Sequence, residues 1–375
     1  MKTVFALDSF KGSISSIDAC RRCAEEFLAV FPDGEAVCVP IADGGEGTVE
    51  AIHHVLGGEM ITKTVTGPDF RPVSASYLYI AETKTAVIEM AAASGLPLME
   101  IPTAGGSTTR GTGELMLDAA LRGAEQIILG LGGSATNDGG TGALEAMGVR
   151  FRKADGSLLT PTGFALKELA SIDVSGICEA VKNCQITIAC DVSNPLCGAQ
   201  GASAIYGPQK GATPEEVAIL DANLHHFAEV AATVTEKDLL GLVGGGAAGG
   251  MAAGISGFLN CRLQSGIELV LDTVNFSSII AGAGLVVTGE GRIDHQSACG
   301  KVISGIGGRC KAAGIPAIAI VGDMGDGYAA AYDFGITAVF STNHLAAPFK
   351  EVRHRAAEDL SDTARNVFRF LGAMK

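Results

Sequence analysis

The chain of 375 residues has no tryptophan, and only 15 phenylalanines and 5 tyrosines. That scarcity argues against the aromatic platforms on which single-stranded nucleic acids stack. Positive charge is also in deficit: 27 Lys and Arg against 41 Asp and Glu give a net charge of −14. Such a surface repels a phosphate backbone on average, so no nucleic-acid partner is expected. A small anionic ligand would need a local cluster of cations. The ten cysteines are scattered and form no disulfide framework. Cys20 and Cys23 have CxxC spacing but no second pair, so they are not read as a zinc site. Nothing near Met1 resembles a secretion signal, because Asp8 and Lys11 interrupt the first apolar run. The uncharged stretch Leu239 to Cys261 is long enough to span a bilayer, but it carries eight glycines. It reads as a buried glycine turn leading into a small-residue helix. The expected location is the cytoplasm, with no membrane partner.

Several catalytic signatures are absent too. There is no G-x-x-x-x-G-K-[ST], and Gly300-Lys301 lacks the flanking residues of one. There is no G-x-S-x-G, no H-E-x-x-H and no H-R-D set.

What is abundant is glycine, at 51 copies, in a chain that is 47% apolar and 18% charged. Collagen periodicity is missing, so the glycines mark backbone positions of special geometry. Both ends of the chain alternate apolar runs with helical spacing. Runs at 3–7 and 37–41 are each followed by an amphipathic segment, 15–31 and 46–56. Runs at 285–288, 317–321 and 338–341 recur near the end, with helices predicted over 300–313 and 348–371. Five near-continuous apolar strands predict a parallel sheet covered on both faces. Right-handed crossovers favour a flavodoxin-like doubly wound order, 2-1-3-4-5. The fold class is therefore α/β, with two α/β domains. One is discontinuous, formed by 1–63 and 275–375; the other, 64–274, is inserted into it.

In such a sheet, ligands bind beyond the carboxyl ends of the strands, where strand order reverses. Asp8, Ser9 and Lys11 follow the first strand; Glu290, Gly291, Arg292 and Asp294 follow the third. Asp43 and Glu46 follow the strand beside them. Acids and cations from distant stretches thus converge. In the middle segment, Gly130 to Gly140 follows a strand and opens a helix. Gly130-x-Gly132-x-x-Ala135 fits a dinucleotide fingerprint weakly, since the acid expected some twenty residues on is met only by Asp155. A phosphate cradle of backbone N–H groups is the better reading, with Ser134 and Thr136 adding hydroxyls. Asn137 and Asp138 have the oxygens to hold Mg²⁺. Ser107 to Glu114 is a second helix opening, rich in hydroxyls and carrying Arg110, suited to a carboxylate or phosphate. Asp191 lies just past a buried strand as a general base or metal ligand, and Lys210 sits on a turn flanked by glycines.

Taken together, these stretches resemble the glycerate kinase family of the bacterial type. The matching segments include Asp8-Ser9-Phe10-Lys11-Gly12, Ala42 to Thr48, Glu89 to Gly95, Thr109 to Glu114, Gly132 to Gly140, Cys190-Asp191-Val192, Gly207 to Ala212, Gly246 to Gly250 and Thr288 to Asp294. They run in family order across nearly the whole chain. The resemblance implies two α/β domains with the site between them, and phosphorylation of D-glycerate by ATP. The 2-phosphoglycerate product is expected over the 3-isomer. Phosphoryl transfer needs positioning and charge neutralisation above all. The expected assignment is as follows. Gly132, Gly133, Ser134, Ala135 and Thr136 with Lys210 hold the nucleotide phosphates. Asp8, Lys11, Asp191 and Arg292 carry catalysis, with Asp8 or Asp191 taking the hydroxyl proton. Asp43, Glu46, Ser107 and Arg110 bind substrate, and Asp138, Glu290 and Asp294 hold Mg²⁺. A homodimer is a further expectation. The alternative class is a nicotinamide-dependent hydroxy-acid oxidoreductase; a non-catalytic sugar-acid sensor is disfavoured by the many charged strand ends.

Overall fold

A computed structural model of the chain describes residues 1–294, 301–345 and 347–374. The strands in chain order begin with β1 (Lys2–Leu7), β2 (Glu35–Cys38), β3 (Glu59–Thr66), β4 (Pro72–Ile80) and β5 (Thr85–Glu89). Next come β6 (Gln126–Gly130), β7 (Arg150–Arg152), β8 (Ser171–Asp173), β9 (Gln185–Ala189) and β10 (Cys261–Gln264). The last are β11 (Leu285–Gly289), β12 (Arg292–Ile293), β13 (Ala317–Val321), β14 (Asp323–Met324) and β15 (Ile336–Ser341). The chain divides into two compact units: Met1–Gly57 with Ser265–Lys375, and Gly58–Gln264.

The first unit is built on a parallel sheet of order β15-β13-β11-β1-β2, the doubly wound 2-1-3-4-5 arrangement that the apolar runs predict. β1 pairs with β11 from Thr3 opposite Leu285 to Leu7 opposite Gly289, joining the two ends of the chain. One face is covered by the helices Ser16–Val30 and Ala356–Ala373, which bring Phe27 and Phe368 against Phe5. Ser15 caps the first of these by accepting from the Asp18 N–H.

The second unit holds a mixed sheet of order β10-β9-β6-β5-β4-β3. β5, β6, β9 and β10 run parallel; β4 and β3 add antiparallel strands at one edge. The junctions differ from the expected 63/64 and 274/275. β3 pairs with β4 along its full length, Glu59 opposite Tyr79 to Thr66 opposite Pro72, which draws 58–63 into the inserted unit. At the far end, the helix Gly266–Thr273 packs with the first unit, placing Ser265 onward there.

Three helices also differ. The small-residue helix expected within Leu239 to Cys261 is broken at its start, where Ala248, Gly249 and Gly250 take left-handed backbone. The long final helix is interrupted by a 3₁₀ turn at Arg353–Arg355. The helix expected from Gly300 begins at Val302, and Gly300 itself lies outside the described residues. Among the described residues no helix is long and apolar enough to cross a membrane.

Candidate functional site

In the first unit β1, β11, β13 and β15 are parallel, so the segments leaving them emerge on one edge. Those segments line a cavity of about 670 Å³. Asp8 continues the ladder past β1, its N–H donating to the Gly289 carbonyl at 2.8 Å. Its side chain is only 7% exposed, and one carboxylate oxygen accepts the Ser9 N–H at 2.6 Å. Burial, reinforced by the negative charge of Asp43, pushes its pKa up to about 6, against the smaller pull of Ser9 and Lys11. Glu290, also buried, follows β11 on the same cavity wall with Gly291 and Arg292. Arg292 pairs with Asp294 at 3.5 Å and Asp323 at 3.7 Å. The short parallel pairing of β12 with β14 pins the loops after β11 and β13 side by side.

The cavity therefore gathers Asp8, Lys11, Asp43, Glu290 and Arg292. Glu46 is exposed in the turn before helix Thr48–Leu56 and is not among the lining residues, nor is Asp294. Sequence reasoning missed Lys301, Thr342, Asn343 and Asp359, which also line it. For Thr342 and Asn343 the signal was present, since they follow an apolar strand as Asp8 does.

In the second unit, the loop after β6 is held from below. Lys210, on the 3₁₀ turn Pro208–Lys210, is 2% exposed. Its ammonium donates to the Ser134 hydroxyl and the Thr136 carbonyl, both at 2.8 Å. Burial depresses its pKa to about 7, although Asp138 favours the charged form. From the side, Gly249 packs so closely that a Cβ there would lie 2.0 Å from the Thr136 carbonyl oxygen. Gly133 sits at φ +71°, and its carbonyl accepts from the Leu96 N–H at 2.9 Å. The Thr136 hydroxyl and the Asn137 Oδ1 are buried without a hydrogen-bond partner among the described residues, which leaves this loop with unmet polar capacity.

Asp138, expected as a metal ligand, sits at the start of two helices. Its fully buried carboxylate accepts from the Thr109 N–H and hydroxyl at 2.9 and 2.8 Å, and from the Gly140 and Gly142 N–H groups at 3.1 and 3.2 Å. These donors open the helices Arg110–Leu121 and Thr141–Ala146, so Asp138 clasps two helix N-termini. Ser107, expected at the substrate, has a buried Oγ that lies 3.1 and 3.0 Å from the Ala104 and Ala135 carbonyls. Arg110 pairs with Glu114 and Glu145. Asp191 is exposed just beyond β9.

One sheet gathering acids and cations at its strand ends, and another carrying a glycine loop over a buried lysine, define a two-sheet α/β protein. The sequence profile of the glycerate kinase family matches residues 3–372. The chain belongs to the glycerate kinase family and is an enzyme of that family. It is 44% identical to the glycerate 2-kinase of Escherichia coli strain K12, over 98% of this chain and 97% of that protein. It is 46% identical to a Bacillus cereus glycerate kinase, with the same coverage. A crystal structure of a candidate glycerate kinase 2 from Salmonella typhimurium LT2 superimposes with a TM-score of 0.89 at 43% identity, covering 100% of this chain and 99% of that one.

Proposed function

We propose that this enzyme transfers the γ-phosphoryl group of ATP to the 2-hydroxyl of D-glycerate, giving 2-phosphoglycerate and ADP. The observation that carries the reading is the cavity at the strand ends, where a buried carboxylate, Asp8, stands among acids and cations. The name glycerate 2-kinase of the Escherichia coli relative supports the 2-isomer.

Asp8, with its pKa raised to about 6, is poised to accept the hydroxyl proton near neutral pH. Asp191 is the second base in this reading. Lys11 and Arg292 offset the charge of the transferring phosphoryl group. The N–H groups of Gly132 to Thr136 cradle nucleotide phosphates above Lys210. Asp43 and Glu46 receive the glycerate hydroxyls, and Arg110 its carboxylate, for which substrate competes with Glu145.

Among the described residues no three His, Cys, Asp or Glu side chains close on one point. Mg²⁺ in phosphoryl transfer takes one or two carboxylates and completes its shell with water and phosphate oxygens, so Glu290 with Asp294 fits. Bound there, the ion would neutralise phosphate charge. The nine cysteines described are all free, which accords with a reducing cytoplasm.

The test is an ATP-coupled assay over small hydroxy acids, with phosphorus NMR of the product. A phosphomonoester on the secondary carbon of glycerate supports the reading. A primary ester redirects it to the 3-isomer, and reduction of a nicotinamide without ADP release overturns it.

A further inference from the structure

The cavity of the first unit has two charged ends, and the strand order separates them. Crossing from β1 through β11 and β13 to β15 takes three strand spacings, roughly 14 Å at about 4.8 Å each. Asp8, Lys11, Glu290 and Arg292 leave β1 and β11, at one end of that span. Toward the other end two further cations line the same cavity, Lys301 and Arg353. They come from opposite faces of the sheet. Lys301 opens the helix Val302–Ala313, which packs on β11, β13 and β15 and takes no part in the core around Phe5 and Phe368. Arg353 precedes the helix Ala356–Ala373, which covers that core.

The acids nearest these cations are already engaged. Asp323 lies 3.7 Å from Arg292, and Asp359 pairs with Arg355 at 2.9 Å with His344 3.5 Å away. Among the described residues Lys301 and Arg353 have no ion-pair partner. The strand end between the two faces carries Thr342, which is 6% exposed. Its N–H donates to the Val321 carbonyl at 2.8 Å, and its own carbonyl accepts from the His344 N–H at 2.9 Å. Its side chain borders the cavity, and its hydroxyl has no hydrogen-bond partner among the described residues. Buried polar groups are nearly always paired, so an open one on a cavity wall points to an occupant. The first turn of the twelve-residue helix behind Lys301 adds open N–H groups and a dipole that favours negative charge.

We propose that Lys301, Arg353 and the Thr342 hydroxyl form a second anion subsite, at the β15 end of the cavity, that takes a phosphate dianion, free or as a phosphomonoester. Donors arriving from two faces and from a strand end suit a tetrahedral anion with oxygens on several sides. A planar carboxylate is met by a single arginine fork. Two unpaired cations also match the charge of phosphate, about −1.5 to −2 near pH 7. The subsite goes beyond the kinase reading and is tested without nucleotide or turnover.

The test is titration calorimetry on the whole protein with inorganic phosphate, with 2-phosphoglycerate and with acetate. Phosphate should bind the unaltered protein, and acetate should bind about tenfold more weakly or worse. Lys301→Met and Arg353→Met should each weaken phosphate binding by about tenfold or more, and Thr342→Val by about threefold or more. Lys11→Met and Lys210→Met should leave it within about twofold. Thermal melting confirms that each variant is folded. Equal affinity for phosphate and 2-phosphoglycerate assigns the subsite to the free ion. An ester bound about tenfold more tightly, with the gain lost in Lys301→Met, assigns it to the monoester. No binding of either phosphate at millimolar concentration overturns the subsite. So does phosphate binding that survives in folded Lys301→Met and Arg353→Met, or acetate bound as well as phosphate. Failure of the kinase reading would look different: the unaltered protein would show no nucleotide-dependent phosphorylation, whatever the calorimetry reads.

Discussion

The Lys210 ammonium and the Thr136 main-chain carbonyl meet at 2.8 Å across 74 residues of sequence. A buried cation here shapes the loop from beneath. Lys210→Met keeps the length and removes the donors. Loss of a charged hydrogen bond, about 1.5–3 kcal/mol, should raise the ATP KM by about tenfold or more and leave the glycerate KM near its original value. Because folding lowers the Lys210 pKa from 10.5 to about 7, the unfolded chain binds the extra proton between those values. Stability should therefore climb with pH across that window, and the climb should flatten in Lys210→Met. Urea titrations at several pH values check it.

Asp8 carries the opposite linkage. Its pKa rises on folding from 3.8 to about 6, so its contribution to stability is full below 3.8 and is lost as pH rises through 6. At pH 7.5 the buried charge costs roughly 2–3 kcal/mol. Asp8→Asn should raise Tm at that pH while lowering kcat by about a hundredfold or more. In the unaltered enzyme kcat/KM should fall as pH drops through about 6. A variant with undiminished turnover removes Asp8 from proton transfer.

Asp191→Asn separates the two carboxylates. An exposed side chain past β9 contributes little to stability, so Tm should move by less than about 1–2 °C. If Asp191 acts on the hydroxyl proton, kcat falls by about a hundredfold with both KM values near normal. Near-normal turnover assigns the proton to Asp8 alone.

For Asp138 the expectation is structural. Asp138→Ala strands buried donors at two helix starts and should cost about 3 kcal/mol or more, read by urea unfolding. The Mg²⁺ concentration for half-maximal activity should not move in the folded fraction. Glu290→Gln should move it upward, because one carboxylate oxygen is lost to the ion.

Gly249→Ala tests the close approach. At φ +67° and with Thr136 2.0 Å from the added Cβ, the loop must shift. Expected are a lower Tm and a raised ATP KM together, since the same carbonyl serves Lys210.

The split sheet was legible because its strands are short apolar runs, each ended abruptly by charged or glycine residues. The same rule located Asp8, Asp43, Glu290 and Arg292. What escaped notice were features that depend on distant partners. β3 reads poorly because most of its residues are exposed, and only its pairing with β4 makes it a strand. Lys210 was legible beside Gly132 to Thr136, but not its burial beneath Ser134 and Thr136. The donors that Thr109 aims at Asp138 come from a distant stretch and show only in the fold. The glycine turn expected before the small-residue helix extends through Ala248–Gly250 in left-handed backbone, a position that composition alone does not give.

The pairing of Thr3 with Leu285 also sets an order of assembly on the ribosome. The inserted unit is contiguous and is synthesised completely before β11 exists. Until then β1 and β2 have no neighbour on their inner side. The nascent amino terminus therefore waits, an open edge seeking hydrogen bonds, while the insertion matures. Termination between 265 and 284 would release a finished insert tethered to an orphaned hairpin-less pair of strands, a species prone to self-association.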